Sequence, residues 1–134
     1  MTPPSAKKKL LVVDDEEEYR LLAGGILGAA GYAVSVAATG EEGLRLYAAE
    51  RPDVVLLDVM LPDMMGFDFC RRVREGKVRP ATPILFCTVR SAVSHLARGV
   101  KAGGTDYVIK PFAAEDLLAR VRAALAPGDS STHP

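Results

Sequence analysis

Five short apolar runs rich in branched side chains recur along the chain: Leu10 to Val13, Tyr32 to Ala38, Val54 to Val59, Ile84 to Cys87, and Tyr107 to Ile109. Their near-continuous hydrophobicity suits strands buried on both faces of a parallel sheet. Between and after them, apolar residues return at steps of three and four, as on one face of a helix. The sets are Leu22, Ala23, Ile26, Leu27 and Ala30; Leu44, Tyr47 and Ala48; Phe69, Cys70 and Val73; Val93, Leu96, Ala97 and Val100; and Leu117, Leu118 and Val121. Strand and helix thus alternate five times. Because parallel neighbours in one sheet are joined by right-handed crossovers, the alternation predicts an α/β fold: a single doubly wound (βα)5 domain, with helices on both faces of a five-stranded parallel sheet.

The punctuation agrees with that division. Thr39-Gly40-Glu41-Glu42 reads as a capped helix start, Pro52-Asp53 precedes the third strand, and Pro83 opens the fourth. Residues 8–125 form the expected domain. Residues 1–7, with Pro3 and Pro4, read as a disordered lead, and residues 126–134, which lose all periodicity, as a flexible tail or linker. Met1 opens the chain and this tail is too short for an output domain, so a stand-alone domain is expected.

Composition narrows the function classes. With 134 residues, 49% of them hydrophobic and 25% charged, the chain fills one core and not two lobes. Seventeen basic and seventeen acidic residues balance, so no long-range field draws the chain to nucleic acid or to anionic lipid, and neither is an expected partner. The uncharged stretch Leu21 to Gly40 is long enough to cross a bilayer, but its glycines and its change from helical to strand spacing after Gly31-Tyr32 make it a helix, a turn and a strand. The leader MTPPSAKKK lacks the apolar region of a signal peptide. Cys70 and Cys87, each inside an apolar stretch, read as reduced core residues, and a cytoplasmic location is expected.

The polar residues that interrupt the strands do so at one end. Asp14 and Asp15 follow the first strand, Asp58 ends the third, Thr88 follows the fourth and Lys110 the fifth. In an open α/β sheet these carboxyl ends line one crevice, where such folds bind ligands. Like charges about 4 Å apart repel by roughly 4 kcal/mol at an effective dielectric of 20, so three carboxylates there need a cation. Oxygen ligands in an open, partly hydrated site suit Mg²⁺. Such an ion beside Asp58, a fixed charge on Lys110 and a hydroxyl on Thr88 outline a site for in-line attack by an aspartate on phosphorus.

The strings LLVVDDEEEYR, DVVLLDVMLPDMMGFDFCRRVR, PILFCTVR and GGTDYVIKPF carry a resemblance, in order and spacing, to the receiver domains of two-component response regulators, over about residues 8–125. The resemblance implies the strand order 2-1-3-4-5 and makes Asp58 the phosphoacceptor. It makes Asp15 a direct Mg²⁺ ligand, Asp14 a ligand through water and the Met60 carbonyl a further ligand. Thr88 and Lys110 would bind phosphoryl oxygens, Lys110-Pro111 would be a cis peptide, and Tyr107 would be the aromatic whose rotation reports the state. Pro62 and Gly66 match the loop after the phosphoacceptor. The implied partners are a histidine kinase or phosphotransfer protein and a downstream protein or output domain, reached through the surface of the fourth helix, fifth strand and fifth helix. The implied catalysis is limited to the domain's own phosphorylation and slow dephosphorylation.

The chain departs from the family's pattern at Val89, where a small residue is usual after the threonine. Met60 and Arg90 flank the same path to the aspartate, so all three are expected to set access and phosphate lifetime. Receivers that dimerise by charge pairs across the last two helices keep a set of which only Asp106 and Arg120 are present here. Leu96 and Lys101 depart from it, so a monomer or weak dimer is expected. Three other functions compete. A flavodoxin-like carrier would need a phosphate-holding loop where Asp14 to Glu18 would repel one. An aspartyl phosphatase would need an acid at Met60. A phosphorylation-independent docking module with the same fold is the remaining alternative, against which the acids, threonine and lysine argue. Glu16 to Glu18 fit the first turn of a helix, and His95 an exposed helix face, without a function.

Overall fold

The computed structural model describes residues 7–89 and 103–126. Five strands, β1 (Lys9–Val13), β2 (Ala33–Ala37), β3 (Val54–Asp58), β4 (Ile84–Val89) and β5 (Asp106–Lys110), form one parallel sheet of order β2-β1-β3-β4-β5. Helices α1 (Glu17–Ala29), α2 (Gly40–Glu50) and α3 (Gly66–Glu75) follow the first three strands, and a C-terminal helix, Ala114–Leu125, follows β5. The helix expected over Val93 to Val100 lies outside the described residues, as do Arg90, His95, Leu96 and Lys101.

The period of two along each strand divides the core. Leu11, Val13, Val55, Leu57, Ile84 and Phe86 point to one face, against Tyr47 of α2 and Phe67, Phe69 and Val73 of α3. Leu10, Val12, Val54, Leu56, Leu85 and Cys87 point to the other, against Ala23 and Leu27 of α1 and Leu117 and Val121 of the C-terminal helix. Each large side chain so buried contributes about 1.5–3 kcal/mol. Cys70 and Cys87 are both buried in this packing.

Local chemistry sets the element ends. Thr39 caps α2, its hydroxyl accepting from the Glu42 N–H at 3.1 Å, while the Glu42 carboxylate reaches back to the Ala38 N–H at 2.9 Å. Asp63, from the loop after β3, accepts from the Gly40 and Glu41 N–H groups as well. At the end of α1, Gly31 turns left-handed with φ 100° and the Tyr32 N–H closes on the Leu27 carbonyl, so β2 begins at Ala33 and not at Tyr32. No helix among the described residues is long and apolar enough to cross a membrane.

Candidate functional site

The carboxyl ends of β1, β3, β4 and β5 bring the polar residues together. Asp14, just past β1, is buried, its N–H donating to the Ala37 carbonyl and its Oδ1 accepting from the Glu16 N–H at 2.9 Å. Asp58, the last residue of β3, is 8% exposed, and its Oδ1 accepts from the Met60 N–H at 3.2 Å. Lys110, the last of β5, sends its buried ammonium between them, 2.7 Å from Asp14 Oδ2 and 3.4 Å from Asp58 Oδ2. The Lys110–Pro111 peptide bond is cis. Asp15 is exposed beside Asp14.

Glu16 joins this group, although the sequence reading gives it no role beyond the start of a helix. As the N-cap of α1 it has extended backbone, which turns its carboxylate back to Lys110 at 2.9 Å instead of along the helix. Tyr19, one turn on, places its ring 4.3 Å from the Lys110 ammonium and packs on Phe112. An acid beside a strand-end Asp pair was the available signal; the helix-start reading of Glu16 to Glu18 holds for Glu17 and Glu18 and is corrected for Glu16.

Carboxylate oxygens of Asp14, Asp15, Glu16 and Asp58 all lie within 4.8 Å of one another. Among the described residues four acids crowd round the ammonium of Lys110, with the Arg20 guanidinium on the Asp14 carbonyl at 2.7 Å, and the four carboxylates are a set of hard oxygen donors that fits a divalent cation. Burial pushes the Asp58 carboxyl up to about 6; the Lys110 charge opposes this and the Asp14 charge adds to it. Burial lowers the Lys110 ammonium, but its hydrogen bonds to Asp14 and Glu16 and the Asp58 charge outweigh that and raise it, so it stays charged.

Gly66 keeps the loop after Asp58 in place. Its N–H donates to the Val59 carbonyl at 2.6 Å, and a Cβ there would collide with the Asp58 carbonyl and lie 3.1 Å from Val59 Cα. Thr88 is buried on β4, one position beyond the Asp58–Cys87 pairing, and pairs with Ile109. Val89 and Met60, 47% and 64% exposed, stand at the rim. Tyr107 is half-buried on β5 and is not among the residues around Lys110; the Arg120 guanidinium lies 5.1 Å from its ring. Arg120 in turn pairs with Asp106 of the same chain at 2.9 Å.

The family model described as response regulator receiver domain matches residues 10–122. Response regulator MprA of Mycolicibacterium vanbaalenii is 48% identical over 95 residues, covering 71% of this chain and 40% of that protein. The matched part of this chain therefore spans less than half the length of that curated relative. Among solved structures, a candidate response regulator of Chloroflexus aurantiacus J-10-fl superposes with a TM-score of 0.87 at 37% identity, covering 91% of this chain and 100% of that one. Chemotaxis response regulator CheY4 of Vibrio cholerae does so with a TM-score of 0.85 at 36% identity, over 90% and 100%.

Proposed function

Because the chain belongs to the response regulator receiver family of two-component systems, we infer that its residues 8–125 act as a phosphorylation-operated switch: Asp58 takes a phosphoryl group from a histidine kinase or phosphotransfer protein and controls a downstream protein or output domain. The observation that carries this reading is the pair of buried carboxylates, Asp14 and Asp58, held on one buried ammonium at the carboxyl edge of the sheet. A structural ion pair would need only one acid.

Asp14, Asp15, Asp58 and the Met60 carbonyl would hold Mg²⁺, and the bound ion supplies the positive charge that lets an anionic donor approach an anionic nucleophile. Asp58 is the attacking group. Its Oδ1 is held by the Met60 amide, which fixes the plane of the carboxylate. As the new O–P bond forms, the bond from phosphorus to the donor's histidine nitrogen breaks and its electron pair stays on that nitrogen. Lys110 lies farther from Asp58 than from Asp14 or Glu16, so its ammonium has room to close on a phosphoryl oxygen. Thr88 offers its hydroxyl from the neighbouring strand, and Tyr107, β5, the C-terminal helix and the segment expected as the fourth helix, outside the described residues, would carry the change outward. Met60, Val89 and Arg90 govern the approach of donor and water. The domain does no chemistry beyond its own phosphorylation and slow dephosphorylation, and it works in the cytoplasm.

Intact-protein mass after incubation with a small acyl phosphate tests the reading. One phosphoryl group should add in Mg²⁺, and none in chelator or in Asp58→Asn. Undiminished labelling of Asp58→Asn would overturn it.

A further inference from the structure

The Lys110 ammonium has three N–H bonds to give, and three carboxylates claim them: Asp14 Oδ2 at 2.7 Å, Glu16 Oε1 at 2.9 Å and Asp58 Oδ2 at 3.4 Å. The two shorter distances draw the nitrogen toward the start of α1, away from the acid that would be phosphorylated. Tyr19 closes a further side with the face of its ring, 4.3 Å from the nitrogen. A phosphoryl oxygen on Asp58 therefore finds every donor of Lys110 claimed, and one of the acids has to yield.

Asp14 is ill suited to yield. Its side chain is 5% exposed, its other oxygen accepts from the Glu16 N–H at 2.9 Å, and a buried carboxylate stripped of its cation is costly. Glu16 is placed differently. Its side chain is 54% exposed, its backbone is extended at φ −88° and ψ 112°, and its carboxylate makes no capping bond to α1. Rotation about its own side-chain torsions carries the carboxylate into water, and an ion pair this open to solvent is held weakly. The neighbouring cation, Arg20, donates to the Asp14 carbonyl at 2.7 Å, and the acids beside Glu16 in sequence, Asp15, Glu17 and Glu18, are exposed.

We propose that Glu16 is a positioning residue that stands in for the phosphoryl group: it occupies one N–H of Lys110 while Asp58 is free, and hands that N–H to a phosphoryl oxygen when Asp58 is loaded. One charge-assisted hydrogen bond replaces another on the same ammonium, and the released carboxylate is taken up by water, so no polar group is left unpaired. Because Glu16 and the phosphoryl group compete for one donor, each weakens the hold of the other by the same factor. The exchange rests on the phosphorylation of Asp58 proposed above and adds to it the residue that gives way.

Beryllofluoride, a stable analogue of the phosphoryl group, tests the exchange in the full chain at saturating Mg²⁺. Titration followed by fluorine NMR should show Glu16→Gln binding it about threefold more tightly than the parent, since a neutral amide competes less for Lys110. Glu17→Gln removes the same charge one position on, from a side chain that lines the open groove beside α1, and should bind as the parent does. The Lys110 ammonium signal in proton–nitrogen correlation spectra, assigned by its absence from Lys110→Met, should differ between parent and Glu16→Gln in the free proteins and coincide once both hold beryllofluoride. Equal affinity of parent and Glu16→Gln, an equal gain in the two glutamine variants, or a difference in the ammonium signal that persists in the loaded proteins would overturn the proposal. So would a fall of about tenfold in the affinity of Glu16→Gln for Mg²⁺ alone, which would make Glu16 a metal ligand. Beryllofluoride bound by neither parent nor variant would instead sink the reading of Asp58, and the exchange with it.

Discussion

Replacing Lys110 with methionine asks whether one ammonium holds the acidic site together. The nitrogen lies 2.7 Å from Asp14 and 3.4 Å from Asp58. At an effective dielectric of 20 those distances correspond to gross attractions of about 6 and about 5 kcal/mol. Desolvation of the buried ammonium and carboxylates takes back much of this, leaving the roughly 3–5 kcal/mol that loss of one partner costs a buried ion pair. Glu16, whose side chain is half-exposed, is screened and adds nothing to the sum. Methionine keeps the apolar stem and removes the charge, so Asp14 and Asp58 are left to repel each other. Urea unfolding in chelator should show Lys110→Met about 3 kcal/mol less stable than the parent. Excess Mg²⁺ should restore most of that, since an ion present at 100 times its Kd adds about 2.7 kcal/mol to the folded state. The parent should gain less, because Lys110 competes for the same carboxylates. Stability in chelator within about 0.5 kcal/mol of the parent, or an equal Mg²⁺ gain in both proteins, would refute the electrostatic account.

Gly66→Ala forces a Cβ onto the Asp58 carbonyl, where the backbone on both sides is fixed, and should cost about 1–3 kcal/mol in thermal or urea unfolding and slow phosphorylation; an unchanged midpoint would show that the loop yields. Val89→Ala should speed both phosphorylation and loss of phosphate in Mg²⁺ while leaving the melting temperature unchanged, because the removed methyls lie at the exposed rim; equal or slower decay would shift control to Met60 or Arg90. At Asp53, burial raises the carboxyl, but the Lys9 amide and Arg79 outweigh it and the net shift is downward. A depressed carboxyl contributes stability that is present above its unfolded value of about 3.9 and lost as pH falls through the lower folded value. Urea midpoints of Asp53→Asn should therefore lie below the parent's at pH 7 and converge with them in acid; a constant gap would contradict this.

What was legible in the sequence follows from periodicity and from position at strand ends. The runs ending at Val13 and covering Val54 to Leu57 are apolar on both faces because helices cover both, and that continuity identifies β1 and β3. The Thr39–Glu42 cap is a local device, complete within four residues, and so could be read directly. Asp58 and Lys110 were conspicuous because each ends a buried strand with a charge. Glu16 was not, because its role depends on one extended N-cap residue and on a lysine far away in sequence. Asp63 was missed for the same reason: its carboxylate serves the start of α2, across the sheet edge from its own loop. Asp106 and Arg120, which stand at positions matching the charge set of dimerising receivers, meet within one chain at 2.9 Å.

The central claim is that Asp58, and no other acid of the cluster, carries the phosphoryl group. Borohydride reduces an aspartyl phosphate to homoserine, which marks the modified position covalently. The chain should be labelled with a small acyl phosphate in Mg²⁺, reduced, digested and sequenced by mass spectrometry. The account predicts homoserine at position 58 alone, and none after labelling in chelator. Homoserine at Asp14 or Asp15, or its absence from position 58 in labelled protein, would contradict it.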